Sequence, residues 1–271
     1  MRLLFIRHGD PDYDNDTLTE TGRREAQALA AYMPSLHPGT CFVSPLGRAQ
    51  ETAAIALENV RDDAGRPVVP GTLDWLQEFP SRVHIRNGSG EEQDTSDLLR
   101  AYHFSQNTDG SYNPRIPWDM YPEYYFDHPE YQDAEDFRTS LVAQASDLNE
   151  VYDYVTASMD ALLASYGYVR EGRHYRVEKE YRGTLTFFCH FAITSAFLSH
   201  FWNVSPLVPM QSLCMAPTSI TELFTEERQK GIAHFRTVRA GDITHLSMAG
   251  IEPTNRALFT DVYSDMEKRH W

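Results

Sequence analysis

Arg2 to Asp10 reads RLLFIRHGD. The short apolar run from Arg2 to Ile6 (RLLFI) predicts a buried strand of an α/β sheet. The strand breaks into Arg7, His8 and Gly9, three residues that a purely structural turn does not require.

The pattern repeats downstream. Thr40 to Val43 (TCFV) predicts a second buried strand, and it leads into Ser44-Pro45-Leu46-Gly47-Arg48. Gly183 to Cys189 (GTLTFFC) predicts a third, ending in Cys189-His190. In open α/β sheets ligands bind beyond the carboxyl ends of the strands. If these strands are parallel and central, Arg7, His8, Arg48 and His190 converge. Two arginine forks suit phosphate oxygens, and a neutral imidazole can attack phosphorus.

Between the strands, Thr21 to Met33 has helical spacing that Pro34 is expected to close. Gly47 to Asn59, Ser146 to Tyr166 and Ile193 to Trp202 also predict helices. Val68-Val69 and Tyr175 to Glu180 predict short strands, and Ser219–Phe224 with Ala233–Val238 predicts an edge pair. The order implies a doubly wound α/β fold with a mostly parallel sheet flanked by helices. The expectation is one domain over residues 1–271 carrying an insertion, lid or cap, at 80–149. That stretch is rich in Tyr, Asp, Pro and Asn, and its aromatics argue for order with short helices. Tyr121 to Tyr131 within it reads either as a substrate-shaping lid or as packing.

A formal net charge of −15 argues against nucleic-acid binding, which needs a basic footprint. No apolar stretch approaches the ~20 residues of a membrane span, and no signal-peptide pattern opens the chain. Cys41, Cys189 and Cys214 form no CxxC pair, which fits a reducing cytoplasm. His84, His103, His128 and Asp119 lack ligand spacing, so neither metal nor cofactor is expected.

Three ordered motifs resemble the histidine phosphatase (phosphoglycerate mutase-like) superfamily. Arg7-His8-Gly9 after the first strand resembles its signature. Leu18 to Ala26 (LTETGRREA) resembles LTxxGxxQA, with Glu25 in place of Gln. Ser44 to Ala53 (SPLGRAQETA) resembles SxxxRAxxTA. The resemblance covers the chain to about residue 80 and from Gly183 onward.

It implies that His8 is phosphorylated during turnover and that Arg7 and Arg48 bind the phosphoryl group. His190 would be the second catalytic histidine, completing the phosphate pocket. Glu78 falls where the family's acid is expected, with Asp74 as its neighbour and competitor. Two positions depart from the pattern. Phe191 follows His190 where Gly is common, and Tyr13 with Asn15 only partly echoes the Trp-Asn pair of the mutases. Asn15 is carried over as a phosphate ligand, and His245 in a late T-HL segment as structural. The implied activity is a metal-independent phosphatase on a small phosphorylated metabolite, with a mutase-like phosphotransferase as runner-up. A catalytically silent phospho-ligand-binding protein is the reading from another class. The oligomeric state is open, a homodimer included.

Overall fold

The computed structural model describes residues 1–85, 95–254, 262, 264 and 265. Residues 86–94 of the expected insertion thus lie outside the described residues. In chain order the elements begin with β1 (Arg2–Arg7), β2 (Pro11–Asp12), β3 (Thr17–Leu18), α1 (Glu20–Leu36), β4 (Thr40–Val43), α2 (Gly47–Leu57) and β5 (Gly71–Thr72). They continue with α3 (Thr95–Ala101), α4 (Pro122–Asp127), α5 (Leu141–Gln144), α6 (Leu148–Ser165), β6 (Tyr168–Glu171) and β7 (His174–Val177). The last are β8 (Thr184–Cys189), α7 (Phe191–Trp202), α8 (Leu207–Ser212), β9 (Ile220–Gln229), β10 (Ile232–Asp242) and α9 (Thr244–Ala249).

Two compact units emerge. One holds Met1–Glu78, Leu163–Thr194 and Leu213–Trp271, the other Phe79–Leu162 and Ser195–Ser212. The first unit contains the eight-stranded sheet, in the order β5-β4-β8-β1-β9-β10-β7-β6. β5, β4, β8 and β1 run parallel, and the remaining pairings are antiparallel. Leu3, Leu4, Phe5 and Ile6 are all buried, so β1 is covered on both faces, in keeping with its unbroken apolar run. Leu4, Ile6, Val43 and Phe188 pack with Leu29 and Met33 of α1 and Ala49 and Ala53 of α2. On the opposite face Phe187 stacks between Phe5 and Phe42, at centroid distances of 5.0 and 5.4 Å.

Several local expectations need correction. Pro34 does not close α1, which runs on to Leu36. Proline removes only its own N–H, and three residues from the end that costs one bond. Val68-Val69 forms no strand; Gly71–Thr72 pairs with β4 instead. β9 and β10 are not an edge pair, because β9 lies on β1 and β10 carries β7. The polar strand is His174–Val177, shorter than the expected span to Glu180.

The second unit combines short helices with most of the long helix α6 around aromatic side chains. Tyr102, Tyr131 and Phe137 are fully buried, and the Tyr102 hydroxyl donates to the Pro117 carbonyl at 2.8 Å. Within Tyr121 to Tyr131, Tyr124 and Tyr125 are also buried, while Phe126 is exposed. Three of that segment's four tyrosines, Tyr124, Tyr125 and Tyr131, are therefore buried, and Tyr121 is exposed.

Candidate active site

Strand register decides the site. Arg7 of β1 pairs with Cys189 of β8, and Val43 of β4 lies opposite Phe188. The residues that follow are His8 and His190, which leave the sheet at one level, while Ser44, after Val43, stands one residue earlier, level with Arg7 and Cys189. The His8 and His190 ring centroids are 5.0 Å apart. His190 Nε2 lies 2.8 Å from Ser44 Oγ.

The loop after β1 is held tightly. Its Gly9 N–H donates to Thr52 Oγ1 at 3.0 Å, and its Asp10 N–H to Glu25 Oε2 at 2.7 Å. A Cβ on Gly9 would lie 2.7 Å from the Gly22 carbonyl oxygen, so the first two motifs meet at a steric contact that only glycine permits. From the other side, Thr218 N–H donates to the His8 carbonyl at 3.0 Å. Thr218 holds a left-handed backbone (φ 58°), an outlier for a β-branched residue. Its hydroxyl lies 2.9 Å from His245 Nε2, which ties the late T-HL segment to the loop.

His8 is buried, and Nδ1 lies 2.7 Å from the Gly9 carbonyl. A carbonyl only accepts, so Nδ1 carries the proton. In the neutral ring, Nε2 then holds a lone pair. Burial first, then the Arg7 and Arg48 charges, push the His8 pKa well below its ordinary value. His190 is lowered likewise, by burial, by His8 and by both arginines. Arg7 Nη1 donates to the Met215 carbonyl. Arg48 Nη1 pairs with Asp16 Oδ1 at 2.5 Å, and the Tyr13 ring centroid lies 5.4 Å from Arg48 Cζ.

Among the described residues, Arg7 Nε, Arg48 Nε and His190 Nδ1 are buried with no hydrogen-bond partner. Buried polar groups are ordinarily paired. All three nitrogens belong to side chains that bear on the His8 imidazole, by charge or by ring contact.

Glu78 lies just past the single-turn helix Asp74–Leu76. Its Oε1 accepts from Ala192 N–H at 3.1 Å and Ile193 N–H at 3.3 Å, in the first turn of α7. Asp74 is exposed at the start of that single turn. Phe191 opens α7. Asn15 is exposed in the β2–β3 loop, and its amide donates to Asp12 Oδ2 at 2.8 Å. Asp16 and Thr218 were not singled out by sequence; Ser44 stood inside a quoted motif, and Tyr13 was named only as a partial echo of the mutases' Trp-Asn pair. No group of three His, Cys, Asp or Glu among the described residues is arranged to hold a metal ion, and no helix is long and apolar enough to cross a membrane.

The sequence profile of the histidine phosphatase superfamily (branch 1) matches residues 3–72. Fructose-2,6-bisphosphatase TIGAR B of Danio rerio is 37% identical over 67 residues, which are 21% of this chain and 26% of that protein. Over residues 3–72 this chain carries the sequence pattern of the histidine phosphatase superfamily. The chain thus spans about a quarter of the length of that relative. Solved structures extend the likeness in fold. A phosphoserine phosphatase variant of Entamoeba histolytica with phosphoserine superposes at TM-score 0.52 and 16% identity, covering 90% of this chain and 98% of that one. The mycobacterial glucosyl-3-phosphoglycerate phosphatase with inorganic phosphate gives TM-score 0.52 and 18% identity, at 90% and 98% coverage. Mycobacterial hydrolase 1 gives 0.51 and 17%, at 89% and 98%. At these identities the superpositions show a shared mixed sheet flanked by helices.

Proposed function

We propose that this chain hydrolyses a small phosphorylated metabolite through a phosphohistidine on His8. The observation that carries the reading is the set of three buried, unpaired nitrogens, on Arg7, Arg48 and His190, around a neutral histidine. Phosphoryl transfer needs positioning and positive charge more than covalent help, and two arginines supply that charge without a metal.

His8 Nε2 attacks phosphorus in line, and the bond from phosphorus to the ester oxygen breaks. Glu78 gives its proton to the departing alkoxide. As a carboxylate it then takes a proton from water, whose oxygen attacks phosphorus and breaks the P–N bond. Orthophosphate leaves and His8 returns neutral. Arg7, Arg48 and His190 hold the equatorial oxygens throughout. Asn15 could join them only after leaving Asp12. A cytoplasmic location fits this chemistry. The name of the 37%-identical relative, a sugar bisphosphatase, favours a small metabolite and hydrolysis over isomerisation.

The test is turnover of an aryl phosphate, with and without chelator, in wild type and His8→Ala. An alkaline detergent quench of the wild type should trap a phosphoenzyme that is stable in base, is lost on acidification, and is lacking in His8→Ala. No turnover in wild type at mildly acidic or neutral pH sinks the enzyme reading in favour of a silent binding protein. Loss of activity with chelator sinks the metal-free mechanism. With 3-phosphoglycerate, isomer formation exceeding phosphate release would assign the mutase instead.

A further inference from the structure

We propose that Asp16 is a positioning residue that locks Arg48 in its phosphoryl-binding orientation, an inference that rests on the function proposed above. Asp16 lies between β2 and β3, and both of its carboxylate oxygens are engaged. Oδ1 pairs with Arg48 Nη1 at 2.5 Å, and Oδ2 accepts from Gly47 N–H at 2.6 Å. Gly47 and Arg48 are the first two residues of α2. One carboxylate therefore grips both the start of the helix and the side chain projecting from it.

The helix needs this help. Its N-cap residue is Leu46, which makes no side-chain cap bond. An apolar N-cap leaves the first amides orphaned, and a carboxylate there also meets the positive end of the helix dipole. Asp16 supplies from another loop what Leu46 lacks. The backbone is distorted to achieve it. Asp16 has φ 50°, a left-handed conformation that non-glycine residues seldom adopt. A Cβ on Gly47 would stand 2.2 Å from the Asp16 carbonyl oxygen, so the loop approaches α2 as closely as glycine allows.

The consequence falls on the guanidinium. Asp16 takes Nη1, the Tyr13 ring covers the group at 5.4 Å, and Nε stays buried and unpaired. A long arginine side chain loses rotamer freedom when it binds a ligand. Here the Asp16 carboxylate and the Tyr13 ring already hold that side chain. The Asp16 side chain is 40% exposed, so the ion pair is screened and its worth to overall stability is small. Its effect is directional: it presents Nε to an oxyanion.

The experiment measures orthophosphate affinity by calorimetry, and kcat/KM on an aryl phosphate, for Asp16→Asn, Asp16→Gly, Arg48→Ala and the double variants. In Asp16→Asn one amide hydrogen must face a donor, so one of the two bonds breaks. Asp16→Gly relaxes the left-handed backbone and so separates loss of the carboxylate from loss of the fold. Loss of a charge-assisted bond predicts about a ten- to hundredfold drop in both quantities. The losses should be non-additive, with little further effect of either Asp16 substitution once Arg48 is alanine. Additive losses, or folded variants that bind phosphate as wild type does, overturn the proposal. Wild type that binds orthophosphate without turning over the ester would overturn the catalytic reading and leave the Asp16–Arg48 coupling decided by affinity alone. Wild type that binds no orthophosphate overturns both.

Discussion

His8 and His190 face one another with ring centroids 5.0 Å apart, and neither ring is built to carry a charge at neutral pH. Burial and two arginines work against a second proton on either. In 15N-histidine NMR, neither ring should titrate near 6.5, and both should remain neutral at pH 6. A midpoint near 6.5 for His8 would mean that its surroundings are wetter or less positive than the structure has them.

Ser44 orients His190. Its hydroxyl accepts from Leu46 N–H at 3.2 Å and meets His190 Nε2 at 2.8 Å. With the hydroxyl donating to Nε2, the ring proton sits on Nδ1, one of the three unpaired nitrogens at the site. Ser44→Ala should lower kcat/KM on an aryl phosphate by about tenfold, the scale of one buried hydrogen bond. The far-UV spectrum should be unchanged. Wild-type kinetics in the variant would remove Ser44 from the machinery.

Glu25 lowers stability at alkaline pH. Burial, opposed in part by its bond to Asp10 N–H, raises its pKa to about 7 from 4.5. Between those values the folded state binds more protons than the unfolded one, so this contribution is present below pH 4.5 and lost as pH rises through about 7. Glu25→Gln keeps an acceptor for Asp10 N–H and removes the charge. Its melting temperature should exceed wild type at pH 8 and nearly match it at pH 4.5. Equal gains at both pH values would show that the carboxyl is not what changes.

Gly9→Ala tests the contact between the first two motifs. The new Cβ would meet the Gly22 carbonyl oxygen at 2.7 Å, backbone that cannot step aside cheaply. Overpacking of this kind costs about 1–3 kcal/mol, which corresponds to a fall of several degrees in melting temperature. The orthophosphate affinity should fall with it, because Gly9 follows His8 directly. An unchanged melting temperature would show that the loop has slack.

Much of the site was legible before any coordinates. Arg7, His8, Arg48 and His190 stand beside strands whose apolar runs identify them, and a ligand at the strand ends follows from the α/β pattern. The supporting residues were harder to see. Asp16 sits in an acidic loop, DPDYDND, where four aspartates look alike in sequence. Only the fold shows that one of them pairs with Arg48 while Asp12 holds Asn15. Thr218 lies 210 positions from His8, and its bond to the His8 carbonyl leaves no local trace.

By itself the sequence determined the buried strands and the residues at their ends, while the meeting of Gly9 with Gly22 is a product of the fold. The strands and their end residues follow from short-range rules: apolar runs bury, and charge after a strand must serve something. Only the tertiary structure decided the register that levels His8 with His190, the antiparallel strands beyond β1, and the choice of Asp16 as partner of Arg48. Those are long-range pairings between chemically similar candidates, and the choice among them is made by packing and backbone geometry.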